Sequence, residues 1–124
     1  MTFYLDHTIV PSRDKEASAR FFARIFGLRY DGLWGPFAPV KVNETLSMDF
    51  DDRWPDFQPH HYAFIASDAE LDTVLQRVKD EGIPFGSSPT SPEDGEINHL
   101  YGGRGFYFRD PNGHMLEVIT HTYV

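Results

Sequence analysis

The 124-residue sequence contains no cysteine, which excludes disulfides, thiolate zinc sites and cysteine nucleophiles. Positive charge is scarce: 11 Lys and Arg stand against 19 Asp and Glu, for a formal net charge of −8. Nucleic acid and anionic membranes both need a basic face, so neither is an expected partner. No apolar run approaches the length of a membrane span, and a strand-like segment follows Met1 directly, without a signal-peptide pattern. A cytoplasmic location is therefore expected. What is present is the composition of a folded globular chain, 40% hydrophobic and 15% aromatic, with 11 Phe to fill the core. The length suits one domain and not two independent ones.

The chain reads as one unit written twice. Phe3 to Val10 alternates as a strand, and Ser12 to Phe26 follows as a helix with Ala17, Phe21, Phe22, Ile25 and Phe26 as its apolar stripe and Gly27 as its stop. Segments 28–34, 37–42 and 45–50 predict three further strands. Asp51 to Pro59 is polar, holds two prolines and reads as a linker. His61 to Ser67 then begins a second strand-and-helix pair. Ser67 and Glu70 form a capping box, Leu71, Val74, Leu75 and Val78 a buried stripe, and Gly82 the end of the helix. Ile83 to Gly86 starts another strand, and a Ser, Pro and Gly-rich loop over 87–95 leads to the last two.

The two copies agree in register. His7 precedes Asp14 by seven residues, and His61 precedes Asp68 by the same number. The expected fold is α+β: two paired βαβββ modules (module one 1–50, linker 51–59, module two 60–124) forming a curved eight-stranded mixed sheet with both helices on its outer face.

The closing hairpin carries the strongest chemical signal. Asp110-Pro111-Asn112-Gly113 is a turn, with Pro111 presetting its second position. On the strand after it, parity places Met115, Glu117, Ile119 and His121 on one face. A carboxylate between Met115 and Ile119 needs a cation, a proton or a metal beside it. Arg104 or Arg109 could supply a plain ion pair. The repeat offers another answer: His7 and His61 hold equivalent positions, and two imidazoles with one carboxylate make a facial metal triad that leaves positions open for substrate. Of the adjacent His60 and His61, only one can point inward, and parity alone does not say which.

Three segments, LDHTIVPSRDKEASARFFARIFGL (5–28), HYAFIASD (61–68) and GFYFRDPNGHMLEVIT (105–120), give the chain a resemblance to the vicinal oxygen chelate superfamily. That superfamily includes glyoxalase I, extradiol dioxygenases, fosfomycin-resistance enzymes and bleomycin-resistance proteins. The resemblance implies a small-molecule substrate, a homodimer whose site can be built within one chain or across two, and a divalent metal (Fe, Zn, Mn, Ni or Co). Matched motif by motif, its ligands fall on His7, His61 and Glu117. Glyoxalase I adds a glutamate on the last strand of module one, where this chain has only Asp49; this argues against a glyoxalase I. A fosfomycin enzyme is disfavoured by Gly105, which stands where those enzymes carry a serine, and by the lack of a cation-binding loop near 96–101.

Tyr107 is expected to hydrogen-bond an oxygen of the substrate, and Tyr107 and Glu117 to act in catalysis. The approach to the hairpin, Glu96 to Arg104, offers His99, Tyr101 and Arg104 as substrate-binding groups. Trp34 and Phe37 either wall the pocket or pack in the core. The expected activity is that of a metal-dependent enzyme, whether dioxygenase, lyase, isomerase or transferase. The rival is a metal-free drug- or metabolite-binding protein of the bleomycin-resistance type.

Overall fold

A computed structural model describes residues 2–124. The chain divides into two compact units, one ending at Gln58 and the other running from Pro59 to Val124. The first unit contains β1 (His7–Pro11), α1 (Lys15–Phe26), β2 (Ala38–Lys41) and β3 (Ser47–Asp51). Its sheet has the order β1-β3-β2, with β1 parallel and β2 antiparallel to β3.

Helix α1 starts where Asp14, in extended backbone, accepts a hydrogen bond from the Ala17 N–H at 3.1 Å. It stops at Gly27, whose left-handed φ of 70° suits a residue without Cβ. Its buried side is Ser18, Ala19, Phe21, Phe22, Ala23 and Ile25, and it packs on β2 and β3. Ala17, expected in the apolar stripe, is exposed because the capping geometry leaves it on the outer side of the first turn. Val10, Ala38, Val40, Met48 and Phe50 complete the core of this unit, all fully or almost fully buried, and the Phe22 and Phe50 rings lie 5.7 Å apart.

The second unit contains β4 (His61–Ile65), α2 (Asp68–Asp80), β5 (Phe85–Gly86), β6 (Gly105–Arg109) and β7 (Met115–Ile119), with the sheet order β4-β7-β6-β5. The capping box at Ser67 is fully formed: the Glu70 N–H donates to Ser67 Oγ, and the Ser67 N–H to Glu70 Oε1. Leu71, Val74, Leu75 and Val78 are buried as their spacing predicts. Beneath them the core is Phe106, Phe108, Leu116 and Val118. The Asp110–Gly113 turn closes through the Gly113 N–H to Asp110 O. Asp110 Oδ1 also accepts from the Asn112 and His114 N–H groups at 2.9 Å each.

The described residues thus form seven strands in two sheets of three and four strands, where one sheet of eight was expected. The strand expected over 28–34 is reduced to two isolated bridges, Tyr30 to Val40 and Trp34 to Phe37. Gly32 and Gly35, with φ of 101° and 56°, turn the backbone out of the extended region there. Asp51, taken as the first residue of the linker, is the last of β3; it is buried and clasped by the Arg53 guanidinium at 2.8 Å. No helix among the described residues is long and apolar enough to cross a membrane.

Phe50 fixes the α1-to-sheet contact, so Phe50→Ala is expected to lower the unfolding free energy by ~3–5 kcal/mol. Urea titration followed by circular dichroism reads this directly; a loss under ~1 kcal/mol would contradict the packing described.

Candidate active site

Register builds the site of the second unit. Across β4, β7 and β6 the backbone aligns His61 with Met115 and Arg109, Ala63 with Glu117 and Tyr107, and Ile65 with Ile119 and Gly105. Side chains alternate along each strand, so all nine stand on one face. Leu116 and Val118 take the other and enter the core. Glu117 therefore lies mid-strand and mid-sheet, 9% exposed.

Its neighbours answer the question of its counterpart. His61 Nε2 is 2.9 Å from Glu117 Oε1. The Tyr107 hydroxyl donates to the same carboxylate, and burial together with that bond pushes the Tyr107 phenol up to about 12. The His61 and Tyr107 rings are 5.9 Å apart. The two arginines that could have paired with Glu117 are engaged elsewhere: Arg104 with Asp68 and Asp72, and Arg109 with Glu93 at 2.8 Å. Glu117 is thus a buried acid bordered by an imidazole and a phenol, and carboxylate and imidazole are donor types that a divalent cation accepts.

The structure separates the two adjacent histidines. His61 faces Glu117, whereas His60 Nδ1 lies 2.7 Å from the Tyr62 hydroxyl and the His60 ring packs 5.2 Å from His114. His114 is fully buried, and its Nδ1 accepts the His60 N–H at 2.8 Å. Its lone pair on that side thus serves the backbone.

The loop candidates fall in different places. His99 is exposed and precedes a 3-10 turn at Leu100–Gly102. Tyr101 is half-exposed, packs 5.8 Å from the Tyr123 ring and is close enough to Tyr107 to help raise its pKa. Its φ of 59° is the one left-handed value at a non-glycine residue among the described residues. Arg104, expected as a substrate-binding group, instead ties the start of β6 to the first turns of α2. Nε reaches Asp68 Oδ1 at 3.0 Å and Nη1 reaches Asp72 Oδ1 at 2.7 Å.

In the first unit, His7 begins β1 and is exposed. Its Nδ1 is 2.8 Å from Asp6 Oδ2, and that contact, with smaller help from Asp49, raises its pKa above the ordinary histidine value. It lines a cleft of about 430 Å³ together with Asp6, Trp34, Phe37, Pro39, Ser47 and Asp49. Asp49 takes in β3 the position that Glu117 takes in β7: two residues along from the partner of the histidine, with Ile9 and Pro39 on its flanks. Parity along 45–50 marks Ser47 and Asp49 as one face, a signal sufficient to raise Asp49 above a weak substitute. Asp6 gives no such signal, since adjacency in sequence does not predict a side-chain contact. Among the described residues, no group of three or more His, Asp or Glu side chains is placed to hold a metal ion.

The model of the Glyoxalase/Bleomycin resistance protein/Dioxygenase superfamily matches residues 4–118. The chain belongs to this superfamily. Members of known structure include the oxidase ChaP-H2, 46% identical, with a TM-score of 0.94 over 99% of this chain and 97% of that one. A second oxidase, ChaP-H1, is 42% identical with a TM-score of 0.92, covering 98% of each chain. The glutathione transferase FosA of Serratia marcescens is 24% identical over 120 residues, 92% of this chain and 78% of its own length. The superfamily thus joins this chain to catalysts of different reactions through a common scaffold.

A phenol with a folded-state pKa above its unfolded value of about 10 supports the fold fully below that pH, and its contribution is lost as pH rises toward the folded value. Tyr62 and Tyr107 are both pushed up to about 12. An absorbance titration should therefore show at least two of the six tyrosines ionising only near pH 12, with stability falling from about pH 10 upward. Completion of all six near pH 10 would contradict the site geometry.

Proposed function

We propose that the chain is a metal-dependent oxidase of a small oxygenated molecule, with His61 and Glu117 as two ligands of a divalent cation and His7 as the third. The observation that carries this reading is the 2.9 Å approach of His61 Nε2 to Glu117 Oε1. Two adjacent ligands of an octahedral ion, each ~2.1 Å from it, lie ~3.0 Å apart, so the pair already has the spacing of an octahedral edge. His7 enters through its matching place in the repeat. Asp6 engages its Nδ1 and leaves Nε2 available, the arrangement by which carboxylates orient ligating histidines.

Iron, zinc, manganese, nickel and cobalt all accept this donor set. The 46% and 42% identity to two oxidases over almost the whole chain favours oxidation, and with it a redox-active ion, iron first. When bound, the ion would supply Lewis acidity toward substrate oxygens. The chain's own groups position and screen. Tyr107 stays protonated at neutral pH and holds Glu117 in place with its hydroxyl hydrogen. Ala63, Met115 and Ile119 surround the carboxylate with apolar surface.

Metal analysis of protein from cells grown without supplement tests this reading. The native chain is expected to hold about one ion; His7→Ala, His61→Ala and Glu117→Ala are each expected to lose stoichiometric metal, and Tyr107→Phe to weaken its affinity ~10–100-fold. Full occupancy in the Glu117→Ala or His61→Ala chain overturns it. A chelator should lower the melting temperature of the native protein; an unchanged melt with unchanged ligand affinity is the behaviour of a metal-free binding protein.

We further infer a homodimer. Phe3, Tyr4, Leu5 and Ile9 are large apolar side chains left exposed in the first unit, a surface that association would cover. Sedimentation velocity is expected to give twice the mass of 14.3 kDa; a single species at monomer mass counts against it.

A further inference from the structure

The row that holds Glu117 and Tyr107 extends one strand further. β5 pairs with β6 so that Phe85 aligns with Phe108 and Gly86 with Tyr107. Phe85 belongs to the core face: its ring lies 6.2 Å from that of Phe106 and 5.8 Å from Lys79 Nζ of α2. Alternation therefore puts Gly86 on the face of Tyr107 and Glu117. A Cβ at Gly86 would collide with Ser91 O and lie 2.5 Å from Pro92 C and 2.7 Å from Glu93 N. The backbone of 91–93 thus crosses the site face directly over Gly86, an approach that the missing side chain permits.

This strap is tied at both ends. The Ser87 N–H donates to Asp94 Oδ1 at 3.0 Å and Ser87 Oγ to Asp94 Oδ2 at 2.5 Å. The Gly95 N–H donates to Phe85 O at 2.8 Å, and Asn98 Nδ2 to Ser87 O at 3.0 Å. A short loop whose ends are joined keeps a compact shape. Glu93 leaves the strap with its backbone already placed, and its Oε2 lies 2.8 Å from Arg109 Nη1.

Arg109 stands on the same face, aligned with Met115, and is a diagonal neighbour of Glu117. Diagonal neighbours lie about 7–8 Å apart, a span that a long side chain bridges. An unclaimed guanidinium there would meet a carboxylate that is 9% exposed, where opposite charges attract more strongly than at the surface. The pair it forms instead is between side chains 45% and 58% exposed, and an exposed pair is weak by itself. The strap tips the balance, because Glu93 is held where the pair forms and loses little freedom in forming it.

We propose that Glu93 is a positioning residue of the metal site: it holds Arg109 away from Glu117 and so keeps that carboxylate free for a cation. This rests on the proposed function in taking Glu117 as a metal ligand.

Affinity for Mn(II), read from the electron paramagnetic resonance signal of the free ion, tests it. Glu93→Gln is expected to weaken binding at least ~5-fold, whereas Arg109→Gln and the Glu93→Gln/Arg109→Gln chain should stay within about twofold of the native chain. If Arg109→Gln tightens binding as much as Glu93→Gln weakens it, the two charges act independently and the proposal is overturned. A double variant as weak as Glu93→Gln alone overturns it too, because the strap would then act by shape. A second measurement needs no metal. In chelator, the effects of Glu117→Gln and Arg109→Gln on melting temperature should add in the native chain and depart from additivity in the Glu93→Gln chain, where the two side chains now meet. Additivity in both chains overturns the proposal. Failure of the native chain to bind Mn(II) overturns the metal reading alone, and the melting cycle still decides the role of Glu93.

Discussion

A carboxylate placed in the middle of a sheet, away from most of the solvent, must have its charge compensated or be protonated. Glu117 is in that position, and the arrangement of β4, β6 and β7 follows from accommodating it. Parallel pairing with β4 brings His61 within hydrogen-bond distance, and antiparallel pairing with β6 brings the Tyr107 hydroxyl to the other side. A slip of one residue in either pairing would send Glu117 into the core now filled by Leu116 and Val118. The core and the site are thus set by the same register: the strand cannot satisfy one face without presenting the other.

The same logic is written into the first unit with different residues. His7 and Asp49 hold the register positions of His61 and Glu117, and Pro39 stands where the second unit has Tyr107. Proline has no hydroxyl, so Asp49 takes its hydrogen bond from Ser47 along its own strand. The carboxylate is accordingly held from the side, and it lines one cleft with the aromatic pair at 34 and 37.

Much of this was legible in the sequence. The capping box at Ser67, the stripe of α2 and the Asp110–Gly113 turn depend on local chemistry, and local chemistry is what spacing reports. The two-unit organisation followed from the repeated histidines, and the shared face of Glu117, Met115 and Ile119 from parity. Other features depended on contacts distant in sequence. Nothing near Arg104 reveals that its guanidinium reaches across to Asp68 and Asp72 on α2. The strand over 28–34 looked plausible by composition, yet Gly32 and Gly35 adopt left-handed backbone that ends pairing after single bridges. Parity left His60 and His61 open and the resemblance pointed to His61; that Tyr62 and His114 engage His60 is a contact no spacing reports.

Tyr101 holds a backbone conformation that a side chain with a Cβ occupies at a cost on the order of 1 kcal/mol. Its neighbour Gly102, also left-handed, would accept that geometry freely, so the bend could have been made by glycine alone. The phenol kept there packs on the Tyr123 ring and lies near enough to Tyr107 to help raise its pKa, so glycine at this position would remove the torsional cost and the ring together.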